Sequence, residues 1–319
     1  MSYNRHIFQK AHCSPVDKSF NSNNWTFPPG HAPALHRIGV LHHPKIAHSY
    51  QLADDIAVAL QQLGVQVWIG SSRDEDGIRA QIARLDLLVT LGGDGSMLRA
   101  ARMSAPHAVP ILGINLGRLG FLAEVRPDEW REFLPHVVVG GYRIEERALL
   151  RAEAHRDAKS LGTHDALNDI VVSRGSLARV VRIKARIDGN PLTQYVADGL
   201  IVATATGSTA YALAAGGPIL PPTLTNMVLV PIAPHLSMDR ALVLDPASTV
   251  EMRVTTDDQV VLTVDGQFIL TLLDGDSVTV KVSPHIARFM RVQPPAYFYR
   301  TLMARLRPGV NSERRATNE

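Results

Sequence analysis

Residues Leu85–Leu91 (LDLLVTL) run directly into Gly92-Gly93-Asp94-Gly95-Ser96, and this junction decides the fold class. The first stretch is almost wholly apolar and contains β-branched residues, which is typical of a strand covered on both faces. A glycine-rich turn follows, and the pattern after it predicts a helix from Ser96 to Met103. A buried strand that leads through a tight turn into a helix predicts an α/β domain.

The flanking residues continue the alternation of strand and helix. The pattern predicts strands at Arg37–His42, Val65–Ile69 and Val109–Ile114, and a helix over Ser49–Leu63 that ends at Gly64. Strands separated by helices pair in parallel. Residues 36–140 are therefore predicted to form a Rossmann-like α/β domain with a parallel sheet.

The second half of the chain has a different sequence pattern. Short runs of Val, Ile and Thr predict strands at Ile170–Val172, Val180–Ile187, Leu200–Ala203, Val250–Val254, Val260–Val264 and Ser277–Val282. Asp-Gly turns separate several of them, at Asp188-Gly189, Asp265-Gly266 and Asp274-Gly275. Residues 141–290 are predicted to form a β-rich, sandwich-like domain with one short helix near Tyr211–Ala215.

Both termini are predicted to lie outside these domains. Residues 1–35 carry little periodic hydrophobicity and are expected to be a disordered extension. Residues 291–307 include a helical stretch that is expected to pack back on the first domain, and residues 308–319 are expected to be a disordered tail.

Composition narrows the function classes. The 319 residues are 45% hydrophobic and carry a formal charge of +3, which gives no reason to expect nucleic acid as the main partner. Cys13 is the single cysteine, so no intrachain disulfide can form, which fits a reducing compartment. No signal-peptide pattern and no apolar run of roughly 20 residues is present. The expected location is the cytoplasm, without a membrane partner.

The glycine-rich loop is the first candidate for chemistry. Glycines let a ligand approach the backbone closely, and the start of a helix favours a phosphate. A carboxylate in the middle of that loop, Asp94, needs a separate task, and a general base toward a hydroxyl is one. An Asp that caps the following helix is the structural alternative, and the loop alone leaves the two interpretations equally open.

The second candidate is Asp198–Tyr211, closed by Gly216-Gly217-Pro218. A strand there leads into a Thr/Gly/Ser turn and a helix, which also suits a phosphate or a polar ring edge. Taken by itself, a Thr or Ser helix cap explains this turn better.

Other common sites are disfavoured. No glycine run ends in Gly-Lys-Ser/Thr, and Gly113–Gly120 follows a strand without matching the dinucleotide fingerprint. The histidines show no His-Glu-x-x-His spacing, a structural zinc is disfavoured by the single cysteine, and no Gly-x-Ser-x-Gly elbow is present.

Five blocks, taken in order, resemble the NAD kinase family. They are Gly92–Gly95, Gly113–Leu122, Asn168-Asp169, Asp198–Pro218 and Asp265-Gly266-Gln267. The aromatic-rich C-terminal segment fits as well, and the resemblance covers about residues 36–306. The first loop alone is shared with lipid kinases and phosphofructokinases, whereas the five blocks together are specific.

The resemblance implies an enzyme that transfers the terminal phosphate of ATP or polyphosphate to the adenosine-ribose 2′-hydroxyl of NAD, giving NADP. A divalent ion, Mg²⁺, would arrive with the donor phosphates. By their place in the motifs, Asp94 would accept the hydroxyl proton, and Gly95 with Arg99 would hold phosphates. Asn168 and Asp169 would bind adenine or ribose groups. Further ligand-lining positions implied by the resemblance are Asp198, on the nicotinamide side, Thr209, Ala210, Tyr211, Ala212, Leu213 and Ala214, on the adenine side, and Arg179, Ala233 and Gln267.

Some positions depart from the family pattern. Ala205 replaces a common proline, Ala212 and Ala214 stand where many relatives carry serine, and Val196 stands where some carry arginine. A lipid kinase of the diacylglycerol or sphingosine type, and a catalytically silent NAD(P)-binding regulator, are the alternatives to the kinase. The family is usually a homodimer or homotetramer, so a homo-oligomer is expected.

Overall fold

The computed structural model describes residues 32–117, 120–175, 180–235, 238–256 and 258–293, with Phe298, Tyr299 and Leu302 beyond them. Arg179 and most of the predicted C-terminal helix and tail lie outside the described residues, as do residues 1–31 of the predicted extension.

Five helices and sixteen strands are defined within those ranges. The helices are α1 (Ala47–Gln62), α2 (Glu75–Ile82), α3 (Asp94–Ser104), α4 (Trp130–Val138) and α5 (Tyr211–Ala214). The strands are β1 (Arg37–His42), β2 (Gln66–Ser71), β3 (Leu87–Gly92), β4 (Ile111–Asn115), β5 (Arg143–Arg156), β6 (Lys159–Ala166), β7 (Asp169–Arg174), β8 (Val181–Ile187), β9 (Asn190–Ala197), β10 (Gly199–Thr204), β11 (Met227–Ile232), β12 (Leu242–Leu244), β13 (Val250–Thr255), β14 (Val260–Val264), β15 (Phe268–Leu272) and β16 (Ser277–Arg291).

The first four strands form the predicted parallel sheet, in the order β2-β1-β3-β4. All six residues of β3 are buried, because α1 and α4 cover one face of the sheet and α3 covers the other. On α1, Ala53, Ile56 and Leu60 recur every three or four residues and face the sheet. The four strands run in one direction, so their carboxyl ends share one edge.

This sheet does not stop at the end of the first domain. β16 pairs in parallel with β4 through Phe289 and Ile111 and then antiparallel with β5 and β13. One ten-stranded sheet therefore runs through both halves of the chain. The sequence predicts a strand only at Ser277–Val282, but β16 continues through a register shift after Val282 to Arg291.

A second sheet of six strands, in the order β12-β11-β10-β7-β14-β15, packs on the C-terminal part of the first. Leu200 and Leu262 from this sheet share one core with Val250 and Tyr195 from the other. Two sheets packed face to face make a sandwich. The α/β domain followed by a β-rich, sandwich-like domain is thus confirmed.

Two helices were not predicted from the sequence. α2 begins at Asp74, whose side chain accepts a hydrogen bond from the backbone N–H of Gly77. α4 carries Pro135 inside it, yet it buries Trp130 and Phe133 on the parallel sheet. Ahead of β1, Leu35 is buried and its N–H donates to the carbonyl of Val138, so residues 33–35 dock on the first domain.

Candidate active site

Asp94 lies at the first position of α3, where β3 ends and the helix begins. Its carboxylate accepts hydrogen bonds from the backbone N–H groups of Phe121 (2.9 Å) and Leu122 (3.2 Å). Each carboxylate oxygen accepts one of these two hydrogen bonds and can accept another, and the residue is partly exposed. Asp94 is therefore held in place by the loop after β4 instead of serving only as a cap for its own helix.

Gly120 makes this arrangement possible. A Cβ built at Gly120 would lie 2.1–2.4 Å from three atoms of the Asp94 carboxyl group. The role of the Gly113–Leu122 block is thus to hold Asp94 by its backbone, a role that the sequence interpretation missed. The signal was the glycine directly before Phe121.

We expect Gly120→Ala to lower kcat of a reaction that depends on Asp94 about 100-fold, because the added methyl displaces the Asp94 carboxylate by about an ångström. Steady-state kinetics would measure this, with thermal unfolding recorded beside it. Gly117→Ala is the matched control, since nothing lies within 4 Å of a Cβ at that position. Equal activity in the two variants would show that the close approach is unimportant.

Gln267 joins the two domains beside Asp94. Its amide nitrogen donates to the carbonyl of Gly95 at 2.7 Å, and its amide oxygen accepts from Arg102 at the same distance. The Asp265-Gly266 turn between β14 and β15 presents this side chain, with φ +52° and +61° at the two residues. The glycine-rich loop and the β-rich domain therefore meet at this point.

Asp265 organises the start of β7. Its buried carboxylate accepts the backbone N–H groups of Leu167 (3.0 Å), Asn168 (2.7 Å) and Asp169 (3.3 Å). Burial raises the pKa of Asp265, and these donors together with Arg102 partly offset the rise. The Asn168-Asp169 pair is thus fixed next to the interdomain contact.

Asp169 is 6% exposed and lies beside that second carboxylate. Burial, and then repulsion by Asp265, raise the pKa of Asp169 to about 7. Because its folded-state pKa is above the unfolded value, Asp169 favours folding below pH 4 and loses that contribution as pH rises through about 7. Near neutral pH this is a carboxyl group that can either donate or accept a hydrogen bond.

We expect Asp169→Asn to stabilise the fold more at pH 8 than at pH 5. The amide mimics the protonated carboxyl and removes a penalty of a few kcal/mol that the ionised side chain carries at high pH. Thermal midpoints of both proteins at the two pH values, at constant ionic strength, would measure it. A variant that loses as much stability as the wild type between pH 5 and 8 would contradict the raised pKa.

The Thr206–Ala214 turn follows β10 at the same end of the second sheet. The Thr204 hydroxyl donates to the carbonyl of Leu167 and accepts from the N–H of Gly207. A Cβ at Gly207 would lie 2.0 Å from the carbonyl oxygen of Asn168, so the turn packs directly on the Asn168-Asp169 pair. Of the residues predicted in this turn, Ala212 is fully buried, Thr209, Ala210 and Leu213 are partly buried, and Tyr211 and Ala214 are exposed.

Asp198 and Ala233 lie at the other end of that sheet. Asp198 precedes Gly199 of β10, pairs with Arg174 at 3.2 Å, and donates its N–H to the carbonyl of Ile232, next to Ala233. Asp169 pairs with Ala203, five residues further along, which at a strand rise of 3.3 Å is a separation of about 17 Å. The structure thus brings Asp94, Gly95, Asn168, Asp169 and Gln267 together but leaves Asp198 and Ala233 apart.

Arg99 lies one turn after Gly95 on α3, as predicted. It donates to the carbonyl of Ser72 after β2 and approaches Glu75 at 4.0 Å. Burial, followed by repulsion from Arg102 and Arg73, lowers the pKa of Arg99. Arg73, Arg99 and Arg102 are therefore close enough to one another to interact near this edge of the sheet.

A buried ionic network supports both sides of the site. Arg291 donates to the carbonyl of Leu122 at 2.7 Å and pairs with Glu145 at 3.1 Å. Arg147 pairs with the same Glu145 and reaches the Thr206 hydroxyl at 3.5 Å. Burial alone would raise the pKa of Glu145, but Arg291 and Arg147 lower it to about 2. Burial lowers the pKa of Arg147 to about 10.

No helix in the described ranges is long and apolar enough to cross a membrane. Among the same residues, no group of three or more His, Cys, Asp or Glu side chains is placed to hold a metal ion.

The geometry places a Gly-Gly-Asp-Gly loop at the carboxyl edge of a parallel sheet, where it meets a β-sandwich. Residues 38–142 match the ATP-NAD kinase N-terminal domain, and residues 167–292 match the ATP-NAD kinase C-terminal domain. The chain is 44% identical over 273 residues to a NAD kinase of Chloroflexus aurantiacus, covering 86% of this chain and 99% of that protein. It is 41% identical over 283 residues to a NAD kinase of Moorella thermoacetica, covering 86% and 90%. The chain belongs to the NAD kinase family.

Solved structures agree with this assignment. Yeast NADH kinase in complex with NADH aligns with a TM-score of 0.78 at 27% identity, covering 88% of this chain and 89% of that one. A NAD kinase from Archaeoglobus fulgidus in complex with ATP aligns with a TM-score of 0.68 at 28% identity, covering 84% and 98%.

Proposed function

We propose that this NAD kinase transfers the terminal phosphate of ATP, or of polyphosphate, to the 2′-hydroxyl of the adenosine ribose of NAD, with Asp94 as the general base. The hydroxyl oxygen forms a bond to the terminal phosphorus and the bond to the leaving phosphate breaks. The hydroxyl proton moves to the Asp94 carboxylate. The products are NADP and ADP, or a polyphosphate one unit shorter.

The observation that carries this proposal is the placement of Asp94. Two backbone amides fix its carboxylate at the start of α3, at the carboxyl edge of a parallel sheet and next to the interdomain contact made by Gln267. Phosphoryl transfer depends mainly on positioning and on stabilisation of charge. A base held in this way meets the first requirement.

The residues suited to bind the adenosine of the acceptor belong to the second sheet, across the interdomain contact from Asp94. Asn168, Asp169 and the Thr209–Ala214 turn lie together at one end of the second sheet. A carboxyl group with a pKa near 7, as at Asp169, can donate to or accept from the ring or ribose. Ala212 is fully buried, so the exposed residues of this turn that a ligand can reach are Tyr211 and Ala214.

The phosphate donor would bring Mg²⁺ with it. When bound with the donor, the ion would offset negative charge that develops during transfer. On the protein side, the N–H groups at the start of α3 and the Arg99 guanidinium are the groups suited to the same phosphates.

We also propose a homodimer or homotetramer, the state that the family resemblance implies. Asp198 and Ala233 are about 17 Å from Asp169 along β10, too far to line the same adenosine pocket. A second copy could bring these residues to the nicotinamide half of the dinucleotide. We also propose a cytoplasmic location, which rests on the sequence: a single cysteine fits a reducing compartment.

The direct test is to incubate purified protein with NAD, Mg²⁺ and ATP, and to measure NADP with an NADP-specific dehydrogenase. Parallel reactions replace ATP by polyphosphate, and NAD by NADH. We expect NADP from NAD with at least one of the two donors. A well-folded protein that yields no NADP or NADPH from any combination would overturn the proposal.

A further inference from the structure

Two guanidiniums are buried where β5 and β16 pair, and both bind one carboxylate. The side chains of Arg147 on β5 and Arg291 at the end of β16 are each 4% exposed. Oε1 of Glu145 accepts from Nη2 of Arg147 at 2.6 Å and from Nε of Arg291 at 3.1 Å. Both guanidiniums also lie 4.9 Å from the centre of the Phe289 ring. Arg147, Glu145 and Arg291 therefore form one connected unit, the Glu145 network.

Glu124 completes the charge balance around this network. It is buried, approaches Arg291 at 3.5 Å, and accepts two backbone N–H groups that follow β16. Two buried carboxylates thus face two buried guanidiniums. Because ionic groups lose their hydration when they are buried, such a network often stabilises a fold no better than apolar side chains of similar volume. Its role is therefore indicated by the groups that its remaining N–H donors hold.

One remaining donor holds the loop that fixes Asp94. Nη1 of Arg291 donates to the carbonyl of Leu122 at 2.7 Å. The N–H group of the same leucine donates to the Asp94 carboxylate at 3.2 Å. A shift of Arg291 would therefore move a residue that positions the base.

The other remaining donor reaches the acceptor turn. Nη1 of Arg147 donates to the hydroxyl of Thr206 in a long hydrogen bond of 3.5 Å. The carbonyl of Thr206 in turn accepts from the hydroxyl of Thr209 at 3.2 Å. The Glu145 network therefore contacts both walls of the candidate site.

We propose that Arg147 is a positioning residue for phosphoryl transfer, which holds the acceptor turn directly and the Asp94 loop through Glu145 and Arg291. Its buried side chain acts through these residues and not on a substrate. The inference rests on the proposed function, because the base and the ribose hydroxyl would belong to walls built from different domains. An error of about 1 Å in their spacing can lower the rate roughly 100-fold, so a shared buried anchor has a direct effect on kcat.

The connection to the Asp94 loop is measured first, without substrates. Hydrogen exchange of the Phe121 and Leu122 amides, which hold Asp94, is compared in the full-length wild type, Arg147→Met and Arg156→Met. We expect exchange about tenfold faster in Arg147→Met and unchanged in Arg156→Met. Equal rates in the three proteins would overturn the proposal.

Arg156→Met is the matched control. Arg156 also lies on β5, nine residues from Arg147, which is about 30 Å at 3.3 Å per residue. It donates to Asp276 at 2.9 and 2.8 Å, and the Asp276 side chain is 1% exposed. Its loss therefore also leaves a buried carboxylate without its cation, but far from the site. Effects of lost stability, which both variants share, are thus separated from effects of lost positioning.

Steady-state kinetics then test the positioning itself. We expect Arg147→Met to lower kcat for NADP formation at least about tenfold and to raise KM for NAD a few-fold, with KM for the donor unchanged within about twofold. Arg147→Lys should recover part of the loss, because an ammonium keeps the charge at Glu145 but cannot form the forked contact. Arg156→Met should keep all three constants. Unchanged constants in Arg147→Met, or equal losses in Arg147→Met and Arg156→Met, would overturn the proposal.

A charge-balanced double variant separates positioning from stability. Arg147→Met/Glu145→Leu removes one cation and one anion, and Arg291 keeps Glu124 as its partner. Apolar replacement of a buried ion pair is often neutral or stabilising, so the thermal midpoint should lie above that of Arg147→Met. The contact to Thr206 stays lost, so kcat should remain at least about tenfold below that of the wild type. A kcat that recovers together with the midpoint would confine Arg147 to folding and overturn the proposal.

Failure of the proposed function gives a different result. If the wild type forms no NADP while Arg147→Met speeds exchange of the Phe121 and Leu122 amides, the proposed function fails and the connection between Arg147 and the Asp94 loop stands. If the wild type forms NADP but Arg147→Met matches Arg156→Met in exchange and in kcat, the inference about Arg147 alone fails.

Discussion

Asp94→Asn should lower kcat for NADP formation about 10²–10⁴-fold, because the amide cannot accept the proton of the ribose hydroxyl. The wild-type carboxylate is fixed by two backbone amides, so its position is already set before a ligand arrives. Single-turnover measurements at saturating ATP and NAD would separate the chemical step from binding. The affinity for NAD should change only a few-fold.

Asp54→Asn is the matched control, since Asp54 is exposed on α1. Asparagine at residue 94 can still accept one of the two amide hydrogen bonds through its side-chain oxygen, so the loop at Phe121 and Leu122 should stay near its place. Thermal unfolding would verify this. An Asp94→Asn enzyme with a kcat within tenfold of the wild type would mean that another group accepts the proton.

The parallel core could be predicted because its signals are local. β3 is an unbroken apolar run that ends in glycines, and α1 repeats its apolar residues at a helical period. Predicted and observed limits agree to the residue for β1 and β14. Where burial is uniform or strictly periodic, sequence pattern and structure carry the same information.

β5 was not predicted because its sequence lacks such a local signal. It buries Arg147 among its apolar residues and carries Glu145, which is mostly buried, so charged side chains interrupt the alternation that marks a strand. Arginine is rarely buried unless it is paired. Arg147 pairs with Glu145 on its own strand, and the second partner of Glu145, Arg291, lies on a strand more than 140 residues away. Pro135 hid α4 in a similar way, because proline argues against a helix interior.

In the candidate site, too, the features with a local sequence signal were predicted and those made by distant segments were not. Asp94, Asn168, Asp169 and Gln267 stood in recognisable motifs, and the structure brings them together. Gly120 leaves room for the Asp94 carboxylate, and Asp265 accepts hydrogen bonds from three backbone N–H groups. Both roles depend on contacts between segments that are distant in sequence. The glycine before Phe121 is visible in the sequence, but no local pattern identifies its contact with Asp94 or the amide partners of Asp265. The separation of Asp198 from Asp169 likewise follows from strand direction in the folded sheet.

Arg291→Met should destabilise the protein by about 3–5 kcal/mol, the usual effect of removing one member of a buried ion pair. Arg291 is 3% exposed and pairs with Glu145 and Glu124 at 3.1 and 3.5 Å, so its loss leaves buried carboxylate charge unbalanced. It also holds the carbonyl of Leu122, whose N–H holds Asp94. We therefore expect kcat to fall at least tenfold in the protein that remains folded.

The neighbouring Arg288→Met is the control for that experiment. Arg288 lies on the same strand and pairs with Glu146 at 3.2 Å, but 37% of the Arg288 side chain and 53% of the Glu146 side chain are exposed. Because exposed ion pairs contribute little, the variant should lose no more than about 1 kcal/mol of stability and keep its activity. Urea unfolding and steady-state kinetics of both variants would measure the contrast. If Arg291→Met were as stable and as active as Arg288→Met, the buried network would not support the catalytic loop. A loss of stability with unchanged kcat would separate the two roles and confine Arg291 to folding.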